Sequence, residues 1–307
     1  MPNQALQEPP ETPPITQDRP QELVIAGLAR DCAHSLVTLL PKLTALSAQF
    51  ARSHFIFLEN SSVDDTRRIL TQFAQVQQNC IFKTYPLVDA RYWKRSDRVA
   101  HLRNRLMNLA EKTVTNPENA YYLQLDLDDV NAELDIDYIA QRIKSDDHSW
   151  AGLFPNQPGF YYDLWALRHP EYCPYDIWER IRRRPADMSR EEAYKRFVTD
   201  NTLQLPRDKG LVEVWSAFGG LGIYRFTTIR GLRYRGLAAD GREICEHVPF
   251  NAAVRERGGR LFIDCAMVNH WGPITHEPPH SPEQKKRSRR NKKLAHMLNA
   301  FFRVLRL

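Results

Sequence analysis

Apolar runs and stretches of helical spacing alternate along the first 130 residues. "ELVIAGLARD" (22–31) predicts a buried strand running into a Gly-containing turn, and "HSLVTLLPKLTALSAQF" (34–50) follows with helical spacing interrupted by Pro41. "SHFIFLENSS" (53–62) predicts the next strand, "VDDTRRILTQFAQV" (63–76) a helix and "CIFKTYPL" (80–87) a third strand. From Ser96, a favoured N-cap, "SDRVAHLRNRLMNLAEK" places Val99, Leu102, Leu106 and Leu109 on one helix face. "YYLQLDLDDV" (121–130) then drives an apolar strand into Asp126, Asp128 and Asp129.

The alternation predicts an α/β layer structure with a largely parallel sheet, in which ligands bind off the carboxyl ends of the strands. Three predicted strand ends carry polar clusters: Arg30 with Asp31, Glu59 to Ser62, and the aspartates. Residues 145–185 are rich in aromatics and turn formers and predict irregular structure over a cleft. Further on, "MSREEAYKRFVTDN" (188–201) reads as helical, and "VEVWSAFGGLGIYRF" (212–226) as one strand interrupted by Gly219, Gly220 and Gly222. "CEHVPFNAAVRERGG" (245–259) predicts a helix start and "RLFIDCAMVNHW" (260–271) a last strand.

Composition narrows the function classes. The net charge is +6, but residues 283–307 hold nine bases against one acid, which leaves the remainder about two charges negative. No basic stripe crosses the folded part, so nucleic acid is not expected as a partner. Five cysteines without a CxxC pair suggest neither a disulfide framework nor a zinc ribbon, and a reducing compartment is the plainer reading. The first 20 residues hold six prolines and predict a disordered leader, and no run approaches the length of a spanning helix. In the tail, seven bases between Lys285 and Lys293 precede Leu294, Met297, Leu298, Phe301, Phe302 and Leu305 on one helical stripe. An amphipathic helix beside a basic run predicts peripheral attachment to anionic lipid; docking on the chain's own domain or on a second copy is the competing reading.

Aspartates packed together repel one another unless a cation occupies the site, and hard oxygen donors suit Mn²⁺ or Mg²⁺. Strand alternation puts Asp126 and Asp128 on the same side, whereas an acidic, solvated turn is the plain alternative.

"LDLDDV" after an apolar strand, with "VIAGLARD" and "FLENSSVDDT" upstream, resembles the nucleotide-sugar domain of GT-A glycosyltransferases. "RVAHLRNRLMNLA" is similar to the fungal capsule-type mannosyltransferases and related bacterial polysaccharide enzymes. The resemblance spans about residues 22–276. It implies a GT-A (Rossmann-like) mixed, mostly parallel sheet flanked by helices over residues 21–280, with a nucleotide-sugar half (21–135) and an acceptor and catalytic half (136–280). The leader (1–20) and tail (281–307) lie outside it.

By the same resemblance, Arg30, Glu59, Arg103 and Asn104 contact the nucleotide and its diphosphate, although Asp31 stands where the family often has Asn. Arg98 is a further candidate phosphate contact. Asp126 and Asp128 match the metal-binding D-x-D, and Gly219 and Gly220 bring backbone close to the donor sugar. Glu246 matches the catalytic base of inverting members, with His247 as runner-up or orienting partner and Asp163 as the alternative carboxylate. His270 or His276 completes the metal site; which of the two stays open. The implied activity is a metal-dependent transfer of a sugar from a UDP- or GDP-linked donor to a glycan or lipid-linked acceptor, in bacterial surface polysaccharide biosynthesis at the cytoplasmic face of the membrane. A nucleotide-sugar-binding adaptor without turnover, or a nucleotidyltransferase or phosphohydrolase, is the alternative.

Overall fold

A computed structural model describes residues 21–270, apart from residues 158, 201 and 202. The predicted leader, the basic tail and His276 lie outside the described residues. The first strand, β1 (Glu22–Ala29), leads to α1 (Ala33–Ser47), β2 (Arg52–Glu59), α2 (Thr66–Val76) and β3 (Cys80–Thr84). A short α3 (Val88–Arg91) precedes the long α4 (Arg95–Thr113) and the acidic strand β4 (Ala120–Asp126). After α5 (Ile136–Lys144) come β5 (Gly152–Asn156), α6 (Ile177–Arg182) and α7 (Arg190–Tyr194). The chain closes with β6 (Leu211–Val214), β7 (Leu221–Arg225), α8 (Phe226–Ile229), α9 (His247–Glu256) and β8 (Leu261–Val268).

One eight-stranded sheet runs in the order β3-β2-β1-β4-β7-β5-β8-β6. The pairings of β1 with β2 and β4, of β2 with β3 and of β5 with β8 are parallel, while β7 and β6 run antiparallel to their neighbours. The carboxyl ends of β1 to β5 and β8 therefore meet at one edge of the sheet. Both faces are covered at the central strands, which is why β1 and β4 read as continuous apolar runs, whereas the edge strand β6 alternates exposed and buried residues. Along β1, Leu23 and Ile25 belong to one core with residues of α1, α2 and α5, while Val24 and Ala26 belong to the opposite core with residues of α4, α6 and α9.

The sequence expectations differ from the structure in four places. Pro41 does not break α1 but lies inside it, on the exposed side, where water can satisfy the carbonyl that loses its partner. Residues 145–185 contain β5, a five-residue strand with a proline, whose pairing partners lie at least 70 residues further along the sequence. The stretch 212–226 is two strands: β6 at the sheet edge and β7 between β4 and β5, joined through the glycine turn. The predicted helix at 188–201 is α7 followed by one π turn, Lys195–Thr199.

Glu22 opens β1 and is buried. Its carboxylate accepts hydrogen bonds from the backbone of Thr115 (3.0 Å) and Asn116 (3.0 Å) and pairs with His54 Nε2 at 2.8 Å. Burial acts to raise its pKa, but these bonds outweigh burial and hold it below the ordinary 4.5. The stabilisation is present above the ordinary glutamate value and is lost as pH falls through the lower, native one. Glu22→Gln is therefore expected to destabilise the fold by roughly 1–3 kcal/mol near neutral pH, with the difference from wild type shrinking on the acid side. Urea unfolding at stepped pH measures this; a gap that stays constant down to acid pH would reject the carboxylate's role.

Candidate active site

The carboxyl edge of the sheet gathers most of the candidate residues. Asp126 ends β4, and its backbone N–H donates to Gly220 O at 2.9 Å across to the β7 entrance. Gly219 and Gly220 both have positive φ, +63° and +88°, and a Cβ on Gly220 would lie 2.4 Å from Val130 Cγ1. Only glycine fits this turn against the loop after β4. Asn131 Nδ2 binds the Asp126 and Gly220 carbonyls (2.8 and 2.9 Å), and Asn269 Nδ2 binds Asn131 Oδ1 and Gly219 O (2.9 and 2.8 Å). This buried amide network ties the ends of β4 and β8 to the glycine turn.

Asp126, Asp128 and Asp129 remain close together. Asp129 accepts from Ser35 Oγ at 2.6 Å, and Asp128 caps the short turn after it by accepting from Val130 N at 3.3 Å. Crowding by surrounding protein, then the charge of Asp126, push the Asp128 carboxyl up to about 6, although the residue reaches the surface. Among the described residues no group of three or more His, Cys, Asp or Glu is arranged to hold a metal. Two strained carboxylates do fit an ion of the Mn²⁺ or Mg²⁺ type that takes one or two protein carboxylates and fills its shell with water and phosphate oxygens.

Arg103 has a role that its helical position alone does not show. It is 4% exposed, and its guanidinium binds Asp126 Oδ1 through Nη2 (3.2 Å) and Glu246 Oε1 through Nε (3.1 Å). Burial acts against its charge, but the two carboxylates outweigh burial and raise its pKa. The group lies 4.8 Å from the Phe218 ring, which stacks on His247 at 3.7 Å. Arg103 Nη1 and both His247 ring nitrogens are buried without a hydrogen-bond partner among the described residues. One cation thus joins the acidic strand end to the first turn of α9.

Glu246, at the N-cap of α9, is buried, and burial raises its carboxyl above the ordinary value against the opposing pull of Arg103. His247 is lowered well below the ordinary value, first by burial and then by Arg103, so it stays neutral. Its Nε2 stands 3.6 Å from Glu246 Oε1, beyond hydrogen-bond distance.

Other candidates are occupied by the protein itself. Buried Glu59 accepts from Ser62 N (2.6 Å) and Arg67 Nε (3.1 Å) and so shapes the loop after β2. Asn104 makes a two-way clamp on the backbone of Tyr234, at 3.0 and 2.7 Å. Asp163 accepts from Ala166 N and Gly219 N, which fixes the glycine turn. Burial, then the charges of Asp163, Asp126 and Asp128, raise the Tyr162 hydroxyl well above its ordinary value. His270 follows β8 at the same edge.

Asp89, which sequence reasoning missed, receives Arg30 (3.1 Å), Arg98 (2.9 Å) and Asn60 (3.3 Å). Arg30 also stands 4.0 Å from Asp31, so the two guanidiniums and two carboxylates gather off the ends of β1 and β2. No periodicity marks Asp89, because its partners come from three separate elements. In the preceding loop, Asp31 adopts φ +51° and accepts from Val63 N at 2.7 Å, a left-handed conformation that Asp, like Asn, tolerates.

No family model and no curated protein matches the chain by sequence. Among solved structures it is similar to the mannosyltransferase PcManGT from Pyrobaculum calidifontis in complex with GDP-Man and Mn²⁺, at 12% identity and TM-score 0.44, covering 84% of this chain and 61% of that one. It is also similar to residues 1–349 of TarS from S. aureus, at 10% identity and TM-score 0.45, covering 82% and 60%. A third is glucosyl-3-phosphoglycerate synthase from Mycobacterium tuberculosis in complex with UDP, at 9% identity and TM-score 0.41, covering 88% and 76%. The chain spans about three-fifths of the length of the first two, 61% and 60%. The ligands in these complexes belong to those proteins.

Proposed function

We propose that the chain is a metal-dependent glycosyltransferase that moves a sugar from a UDP- or GDP-linked donor to a glycan or lipid-linked acceptor, in bacterial surface polysaccharide biosynthesis. The observation that carries this reading is the buried Arg103 bound at once to Asp126 and Glu246, because it couples a strand-end carboxylate pair to a desolvated carboxylate in one cluster. Asp126 and Asp128 would hold Mn²⁺ or Mg²⁺, with His270 or His276 as a further ligand. The ion supplies charge neutralisation for a departing diphosphate. Arg30 and Arg98, sharing Asp89, add positive charge for the donor. The backbone at Gly219 and Gly220 lets a sugar approach without meeting a side chain.

Glu246 is the base. Its carboxylate takes the acceptor hydroxyl's proton while that oxygen bonds to the anomeric carbon and the carbon–oxygen bond to the diphosphate breaks. Burial raises its pKa toward working pH, which favours proton transfer. Arg103 orients the carboxylate through its Nε bond, while His247, neutral beside it, packs on Phe218. No described helix is long and apolar enough to cross a membrane. We place the protein peripherally at the cytoplasmic face, where its tail would meet anionic lipid.

Release of UDP or GDP from a panel of donors, with and without Mn²⁺, tests the reading. One donor should release nucleotide faster with acceptor and metal present, and Glu246→Gln should slow this by about 10²–10⁴-fold while donor binding persists. Binding without turnover would favour the adaptor. Neither binding nor release with any donor would overturn the assignment.

A further inference from the structure

The segment from Leu87 to Arg95, which leads from β3 into the start of α4, exposes two large apolar side chains while Val88, Asp89 and Tyr92 are tied to the rest of the domain. Leu87 is 70% and Trp93 68% exposed, whereas Val88 and Ser96 are buried. Asp89 holds Arg30 and Arg98, Tyr92 stacks on His101 at 4.2 Å, and Ser96 Oγ donates to Gly236 O at 2.8 Å. Gly236 packs so tightly on Ser96 that an added Cβ would lie 2.1 Å from its carbonyl oxygen. The segment is thus anchored from within, and Leu87 and Trp93 face outward from a fixed backbone.

Bases surround these two side chains. Arg91 and Arg95 are exposed, the Lys94 ammonium lies 5.1 Å from the Trp93 ring, and exposed Arg235 immediately precedes Gly236. The acid within the segment, Asp89, is already neutralised by two guanidiniums, so the surface is cationic with an apolar tip. Trp at headgroup depth, Leu below it and bases around them match the chemistry of an anionic bilayer surface. The chain's own tail does not complement this face, because residues 285–293 carry seven bases and would be repelled. Single-stranded nucleic acid would use the ring and the bases but leaves Leu87 without a role.

We infer that the Leu87–Arg95 surface, with Trp93 at its tip, docks the folded domain on an anionic lipid bilayer. The surface follows β3, at the edge of the sheet where Asp126 ends β4, so docking faces that edge toward the headgroups. The inference does not depend on the chain transferring a sugar.

Hydrogen exchange of the full-length chain, with and without vesicles of phosphatidylglycerol in phosphatidylcholine, tests it without any substrate. Amides of residues 87–95 should gain protection, and the double variant Leu87→Ser, Trp93→Ser should lose vesicle affinity by about tenfold or more. Arg91→Glu with Arg95→Glu should weaken binding similarly and flatten its salt dependence. Both pairs are exposed, so their unfolding midpoints should match wild type. Vesicle binding that leaves 87–95 unprotected and is unchanged in both variants would place the contact elsewhere and overturn the inference. So would no vesicle binding, or protection of the same amides by an oligonucleotide but not by vesicles.

Discussion

Arg103→Met is expected to destabilise the protein by about 3–5 kcal/mol, because it leaves the buried Glu246 carboxylate without a counter-charge. The size follows from asymmetry: a buried ion pair adds little net stability when intact, yet breaking one side strands the other in a poor solvent. Arg103 serves two carboxylates and packs on Phe218, so the loss is also one of packing. Adding Glu246→Leu to Arg103→Met should recover most of the stability, since no orphaned charge then remains in α9. Urea unfolding of the two variants decides the matter. If the single substitution costs under about 1 kcal/mol, Arg103 is not the strut inferred from its geometry.

Asp128→Asn should act oppositely on stability and on donor binding. Asn caps the turn before Val130 as well as Asp does, so that hydrogen bond persists. The raised carboxyl means that native stability falls as pH rises from the ordinary 3.8 through about 6, and Asn removes this penalty at neutral pH. Thermal unfolding without metal should give an equal or higher midpoint. Mn²⁺-dependent donor binding, read by calorimetry, should weaken by about 100-fold or more, because a direct ligand is lost rather than a supporting contact. Unchanged donor binding would remove Asp128 from the metal site; a lowered midpoint would make its charge structural.

Much of this was legible in the chain. β1, β2 and β4 are apolar runs, largely buried, and each ends in the polar cluster noted there in the sequence; β3, at the sheet edge, is half-exposed. The position of Asp126 at the strand tip, with Asp128 just beyond, also followed, since it needs only local geometry. β5 was not legible: five residues including a proline carry too little pattern, and β7 and β8 hold the strand in place. The split of 212–226 into β6 and β7 was hidden for a similar reason, because the two strands take different partners. Asn104 and Arg103 are adjacent on α4 and looked alike; the helix turns one onto Tyr234 and the other into the carboxylates.

By itself the sequence determined the α/β layering and the strand-end acids, which depend on residues near one another along the chain. Only the tertiary structure decided that Arg103 joins Asp126 to Glu246, residues 120 apart, and that Arg30 and Arg98 share Asp89. Charge partners are chosen by where the sheet order and the covering helices bring side chains together, and hydrophobic periodicity contains no record of that choice.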